Sequence, residues 1–185
     1  MTAVARPTRP NGPEAGWAAA ETPLGRLTLV DGGAGISELR FPGRGGPLDE
    51  ALHRPAALAP AVAQLEEYFA GERERFDLAL DLRGPGSDRR VWARLLEIPY
   101  GGTITYGQLA NEVGRPDEVR EVAAAVGRTP VPIVVPCHRV VAADGSLRGY
   151  RGGLHRKRAL LDLELRTASG DPARPGWGQR QLGLL

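Results

Sequence analysis

The feature that most constrains this chain is a change of hydrophobic period across Gly84-Pro-Gly86. Upstream, Gly25-Arg-Leu-Thr-Leu-Val30 and Gly35-Ile-Ser-Glu-Leu-Arg-Phe41 alternate apolar and polar residues around an Asp31-Gly-Gly33 turn signal, the pattern of a β-hairpin. Ala61, Leu65, Tyr68 and Phe69 then recur at helical spacing, predicting a helix over residues 56–70 with Gly71 as its C-cap. A strand over residues 76–82 is expected to complete the small sheet. Downstream of the break the pattern is helical, so the sequence reads as two domains, residues 16–84 and 85–166, between mobile tails at 1–15 and 167–185. In the second tail, Trp177, Leu182, Leu184 and Leu185 offer apolar contacts, but surface disorder is the expectation.

Ser87 can cap a helix carrying Val91, Trp92, Leu95 and Leu96. Thr105 can cap the next, over residues 106–113, and after Gly114-Arg115 a third helix is expected with Pro116 at its first position. Helix, short glycine-containing turn, helix is the spacing of a helix-turn-helix, though such pairs are also common in other α-proteins. In the third helix Val119, Val122, Ala123 and Val126 form the expected buried face, leaving Asp117, Arg120, Glu121 and Ala124 outward. A last helix over residues 155–165 is expected to bury Leu154, Ala159, Leu161 and Leu165 and to carry Arg156-Lys-Arg158 in its first turn.

Cysteine usage narrows the chemistry. The 185-residue chain has one cysteine, Cys137, which excludes an internal disulfide and a multi-cysteine zinc site. With three histidines, His53, His138 and His155, no metal site is expected. Cys137 ends the apolar run Val131-Pro-Ile-Val-Val-Pro136 and is followed by His138 and Arg139. A lone cysteine in such a run is ordinarily a small buried hydrophobe. An adjacent base and cation are what a nucleophilic thiol requires. The formal charge of +2 drives no global attraction to nucleic acid. Between Arg139 and Arg158, however, six cations face Asp144 alone. All but one of the 24 basic residues are arginine, Lys157 being the exception, and genome composition explains most of that bias. No apolar run approaches a membrane span and the N-terminus carries no signal-peptide core, so the expected compartment is the reducing cytoplasm.

Taken together, Pro130-Val-Pro-Ile133, Pro136-Cys-His-Arg-Val140, Gly149-Tyr-Arg-Gly-Gly153 and Lys157-Arg-Ala-Leu-Leu-Asp-Leu-Glu164 closely resemble the O6-alkylguanine-DNA alkyltransferases. Val91-Trp92, Ile98-Pro-Tyr-Gly101, Thr105-Tyr-Gly-Gln-Leu-Ala110 and Val119-Arg-Glu-Val122 continue the likeness. So do Thr22-Pro-Leu-Gly25 and Gln64-Leu-Glu-Glu-Tyr-Phe69, giving coverage from Trp17 to Arg166. The resemblance implies a small ribonuclease-H-like α/β domain followed by a helical, winged helix-turn-helix-like catalytic domain of bacterial type. It implies a cofactor-free monomer that binds double-stranded DNA in the minor groove and rotates the damaged guanine out of the stack. The O6-alkyl group, or an O4-alkyl group of thymine, then moves irreversibly to a cysteine.

By position, Cys137 matches the acceptor, His138 the base acting through a water, and Glu164 the carboxylate orienting that histidine. Tyr106 and Arg120 match the residues that turn the nucleotide and fill the vacated stack, with Arg139 also expected on the DNA-binding side. Val140, Tyr150 and Arg151 match the guanine pocket. Three departures are visible: Thr129 in place of an asparagine bracing the joint before the cysteine, Ser87 in place of a phenylalanine, and Glu118 and Glu121 in place of small residues on the DNA-facing helix. Two other readings stay open: a damage-binding relative without transfer, and a cysteine hydrolase.

Overall fold

The structure, a computed structural model, describes residues 15–171 and 173. The tail residues outside that range, with Trp177, Leu182, Leu184 and Leu185, lie beyond the described residues. The chain divides into two compact units, the first ending at Arg83 and the second beginning at Gly84.

In the first unit, β1 (Gly16–Thr22), β2 (Gly25–Asp31) and β3 (Ile36–Arg40) form an antiparallel sheet in the order β1-β2-β3. The β1–β2 turn closes through Thr22, whose hydroxyl donates to Gly25 O at 2.7 Å, and Gly25 takes the positive φ the turn requires. The Asp31 carboxylate accepts from Gly33 N–H at 2.6 Å, turning β2 into β3. Alternation then puts Ala18, Ala20, Leu27, Leu29 and Leu39 into the core, against Leu58, Ala61, Leu65 and Tyr68 of α1 (Pro55–Ala70). Gly71 ends α1 in the left-handed conformation (φ 78°).

The expected strand over residues 76–82 is absent. A single parallel bridge joins Ile36 to Leu80, and the Gln64 side chain satisfies both backbone groups of Asp77. Backbone groups met by a side chain have no need of a ladder.

The second unit holds α2 (Gly86–Leu95), β4 (Ile104–Thr105), α3 (Tyr106–Glu112), α4 (Val119–Gly127), β5 (Val140–Val141) and α5 (Leu154–Ser169). Thr105 caps α3 in a full capping box with Gln108. Ser87 does not cap α2; the N-cap is Pro85, and Ser87 lies one residue inside the helix. The residue that matters there is Asp88, buried at the start of α2, which accepts a two-point grip from Arg128 at the end of α4 (2.6 and 2.9 Å). Trp92 strengthens the same joint, its Nε1–H donating to Ala125 O at 2.9 Å from a fully packed position. Asp88→Ala is expected to cost about 1.5–3 kcal/mol in urea denaturation, the range for hydrogen bonds to charged groups.

Helix α4 starts later than expected. Pro116 and Asp117 sit in a turn, Glu118 is the N-cap, and the buried face is Val122, Ala125 and Val126, with Val119 exposed. Helix α5 runs to Ser169 and buries Lys157, Leu160, Leu161, Glu164 and Leu165, whereas Leu154 and Ala159 are exposed. Among the described residues no helix is long and apolar enough to cross a membrane, and no cluster of three or more potential ligands could hold a metal.

Candidate active site

The site is built where the chain leaves α4 and doubles back. Buried Thr129 donates its hydroxyl to Val126 O at 2.8 Å, so threonine braces the last turn of α4. A tight apolar turn follows, closed by Val135 N–H to Val131 O at 2.9 Å. Within it Ile133 is held at φ 78°, a left-handed conformation that a β-branched residue adopts only when packing enforces it. The turn delivers Cys137 to the start of a single 3-10 turn, Cys137–Arg139, after which β5 pairs in parallel with β4. The pairing sets Thr105 opposite Val141, and Tyr106 is the next residue after Thr105. The tyrosine that opens α3 is thereby brought to the cysteine, whose negative charge would reach its phenol.

Cys137 is buried, and burial pushes its thiol up to about 11 against the opposing pull of the Lys157 and Arg151 charges. At neutral pH it is a thiol and reacts only if a base removes its proton. His138, wholly buried, places Nε2 at 2.8 Å from Glu164 Oε1. A carboxylate only accepts, so Nε2 carries the hydrogen and Nδ1 presents its lone pair. Nδ1 is buried with no hydrogen-bond partner among the described residues. Burial holds the imidazole below its ordinary value in spite of the Glu164 charge, so it is neutral at pH 7 and able to accept.

Glu164 is the hub. Burial disfavours its charge, but His138 and Arg139 outweigh that and hold the carboxyl well below the usual carboxylate range. Arg139 grips both oxygens (Nε to Oε2 2.9 Å, Nη2 to Oε1 2.8 Å), and Gly101 N–H adds a bond to Oε2 at 3.2 Å. The third donor of Arg139, Nη1, reaches Ile98 O at 2.5 Å.

The expected site residues therefore separate. Cys137, His138 and Glu164 fall on one contiguous segment and the facing side of α5. Arg139 is buried, with its guanidinium bonded to Glu164 and to the Ile98 carbonyl. Val140 has its N–H bound to Cys137 O and its carbonyl bound by Lys157 Nζ at 2.7 Å, so only the second lone pair of that carbonyl remains to offer a base. Tyr150 lies in the field of Cys137 with its phenol pushed well above 10, mainly by burial, and Arg151 is exposed beside it. Arg120 is exposed on the outward side of α4, with no ion pair to Asp117 and no hydrogen bond among the described residues. Of the acids on that helix, Glu118 is held by Arg115, and Glu121 acts electrostatically on both Arg115 and Arg128. The acids are thus largely balanced within the helix pair.

Sequence reasoning missed two residues. Asp88 was hidden because its partner, Arg128, is 40 residues away. Lys157 reads in sequence as part of a basic first turn, yet it is fully buried, with Nζ donating to Val140 O at 2.7 Å and to Arg148 O at 2.8 Å. The signal was present: Lys157, Leu160, Leu161 and Glu164 follow helical spacing, so the residue sharing a face with Glu164 had to point inward.

Comparison with known proteins shows which family the chain belongs to. Residues 16–82 match the family model of the 6-O-methylguanine DNA methyltransferase ribonuclease-like domain, and residues 87–166 that of the 6-O-methylguanine DNA methyltransferase DNA binding domain. The methylated-DNA–protein-cysteine methyltransferase of Mycobacterium bovis is 46% identical over 159 residues, covering 82% of this chain and 93% of that protein. The inducible protein of the same name from Bacillus subtilis is 46% identical over 112 residues, 60% of this chain and 63% of its own. Among solved structures, Mycobacterium tuberculosis O6-methylguanine methyltransferase superposes with a TM-score of 0.76 at 44% identity, covering 85% of this chain and 96% of that one. The OGT of the same organism in complex with DNA gives 0.75 at 43%, covering 85% and 95%. Two family models over most of the chain, and a relative 46% identical along 93% of its own length, carry one conclusion: the chain belongs to the 6-O-methylguanine DNA methyltransferase family.

Proposed function

We propose that this protein repairs DNA by direct reversal, moving the alkyl group of O6-alkylguanine in double-stranded DNA onto Cys137 Sγ, once per molecule. The observation that carries this reading is the buried His138, with Nε2–H committed to Glu164 and Nδ1 without a partner, in the residue after a buried thiol. His138 takes the Cys137 proton through an intervening water. The thiolate attacks the alkyl carbon, the S–C bond forms, and the C–O6 bond breaks with its electron pair leaving on the guanine, which recovers a proton. Glu164 stabilises the imidazolium while it lasts, the logic of nucleophile, base and orienter. The product thioether is stable, so the protein is consumed.

A base within the helix cannot present O6 to a buried thiol, so the nucleotide must leave the stack, at a cost of a few kcal/mol. In this reading α3 and α4 are the helix-turn-helix that enters the minor groove. Arg120 fills the gap, Tyr106 helps turn the nucleotide, and Tyr150 and Arg151 close over the guanine. The protein acts as a monomer and needs no cofactor. The reaction is assigned to the reducing cytoplasm, where a free acceptor thiol persists.

Repaired guanine measured against protein should rise linearly and stop at one equivalent. No repair, or repair continuing past one equivalent, would overturn the reading. For Arg120, the Arg120→Ala protein is expected to lose about tenfold or more in transfer rate from duplex, each 1.4 kcal/mol of lost stabilisation being a factor of ten. Its rate with the free base, which needs no flipping, should be unchanged.

A further inference from the structure

Helix α4 carries one charged group that the transfer step leaves unused. Glu121 lies in its first turn, exposed, and makes no hydrogen bond or ion pair among the described residues. The neighbouring acids are placed differently: Asp117 sits outside the helix in the preceding turn, Glu118 is bonded to Arg115, and Asp88 holds Arg128 with both oxygens. The charge of Glu121 acts on Arg115 and Arg128, yet neither arginine bonds its oxygens.

Successive residues of a helix are about 100° apart, and its surface neighbours are three and four positions apart. Arg120 and Glu121 are one such step from each other. Exposed Ala124, four positions after the first and three after the second, lies between them, while Val122, Ala125 and Val126 are buried. Arg120, Glu121 and Ala124 therefore form one outward patch, in which the small alanine lets both longer side chains reach past the helix surface.

Base chemistry fixes what such a patch meets in the minor groove. Every base pair presents acceptors there, and the single donor is the N2 amino group of guanine. A carboxylate only accepts. Glu121 is therefore repelled by the edge of an A·T pair and able to bond that of a G·C pair. Phosphates repel a carboxylate too, and the charges of Arg115 and Arg128 offset this while leaving its oxygens open.

We propose that Glu121 is a specificity-determining residue that accepts a hydrogen bond from the N2 amino group of a guanine in the base pair next to the target, so that the protein favours lesions flanked by G·C pairs. The assignment rests on α4 entering the minor groove with Arg120 in the vacated stack, which puts the adjoining residue beside the adjoining pair. It also accounts for a carboxylate on a helix that faces DNA, where its charge alone would be a liability.

The test is the second-order rate of methyl transfer from two duplexes, one with G·C pairs on both sides of O6-methylguanine and one with inosine·C pairs in their place. Inosine presents the edge of guanine without the N2 amino group. An inosine·C pair is also weaker, which eases flipping, and the Glu121→Ala protein measures that contribution. The substitution puts the best helix former at an exposed helical position, so the fold is kept. Relative to Glu121→Ala, wild type is expected to favour the G·C duplex by about tenfold, within the range of one good base contact. The same ratio of rates in the two proteins, or a wild-type ratio shifted toward the inosine duplex, overturns the proposal. A fault in the minor-groove reading itself would show separately, as an Arg120→Ala protein that transfers from duplex as fast as wild type. Absence of transfer from either duplex would overturn the transfer reading and this proposal with it.

Discussion

Replacing Glu164 by glutamine is expected to destabilise the protein by about 3–5 kcal/mol, the cost of leaving one member of a buried ion pair without its partner. The amide keeps the shape and loses the charge. Arg139 would then sit in the core with its guanidinium facing a neutral group, and one of the acceptor oxygens shared by Arg139, His138 and Gly101 would become a donor. Urea denaturation at pH 7 reads the loss. Whatever fraction folds should also transfer more slowly by about a hundredfold or more, the contribution of a positioned base, because His138 loses both its orientation and its counter-charge.

The same substitution changes acid sensitivity. His138 is held below its ordinary value, so the unfolded chain takes up a proton before the folded one does, and stability declines as pH falls below about 6.5. Glu164 is held well below the carboxylate range, so its contribution is complete above about 4.3 and is lost as pH falls further. Glu164→Gln should abolish the second decline.

Replacing Cys137 by serine should abolish transfer entirely while leaving the fold and the binding of O6-alkylguanine duplex in place. The hydroxyl is close in size to the thiol and fits the same buried position beside Thr129. Its proton, however, is far too tightly held for His138 to remove, and burial raises the barrier further. Gel-shift affinity within a few-fold of wild type, together with no repaired guanine, is the expected pair of results. The pairing also separates transfer from mere recognition, since a damage-binding protein would be indifferent to the change and a hydrolase would turn over without DNA.

Much of this architecture could be read from local chemistry. Thr105 and Gln108 carry a capping box, Gly71 sits where a helix must end, and the Asp31-Gly-Gly33 turn fixes the β2–β3 hairpin; each works within a few residues. The failures have a common cause, which is satisfaction of a group by something distant. Residues 76–82 resemble a strand, but Gln64 answers Asp77 from α1. Lys157 looks like surface charge until Val140 and Arg148 bring carbonyls to it. Cys137, His138 and Glu164 could be named from the likeness to a family, but which imidazole nitrogen is left as the base depends on a 2.8 Å contact that sequence does not contain.

The central claim, that Cys137 Sγ is the alkyl acceptor, is tested most directly by mass spectrometry of the protein after incubation with duplex containing O6-methylguanine. The account predicts a single added methyl group, mapping after proteolysis to the peptide that holds Cys137 and no other. A folded, DNA-binding protein recovered unmodified, or carrying its methyl group on any other residue, would contradict it.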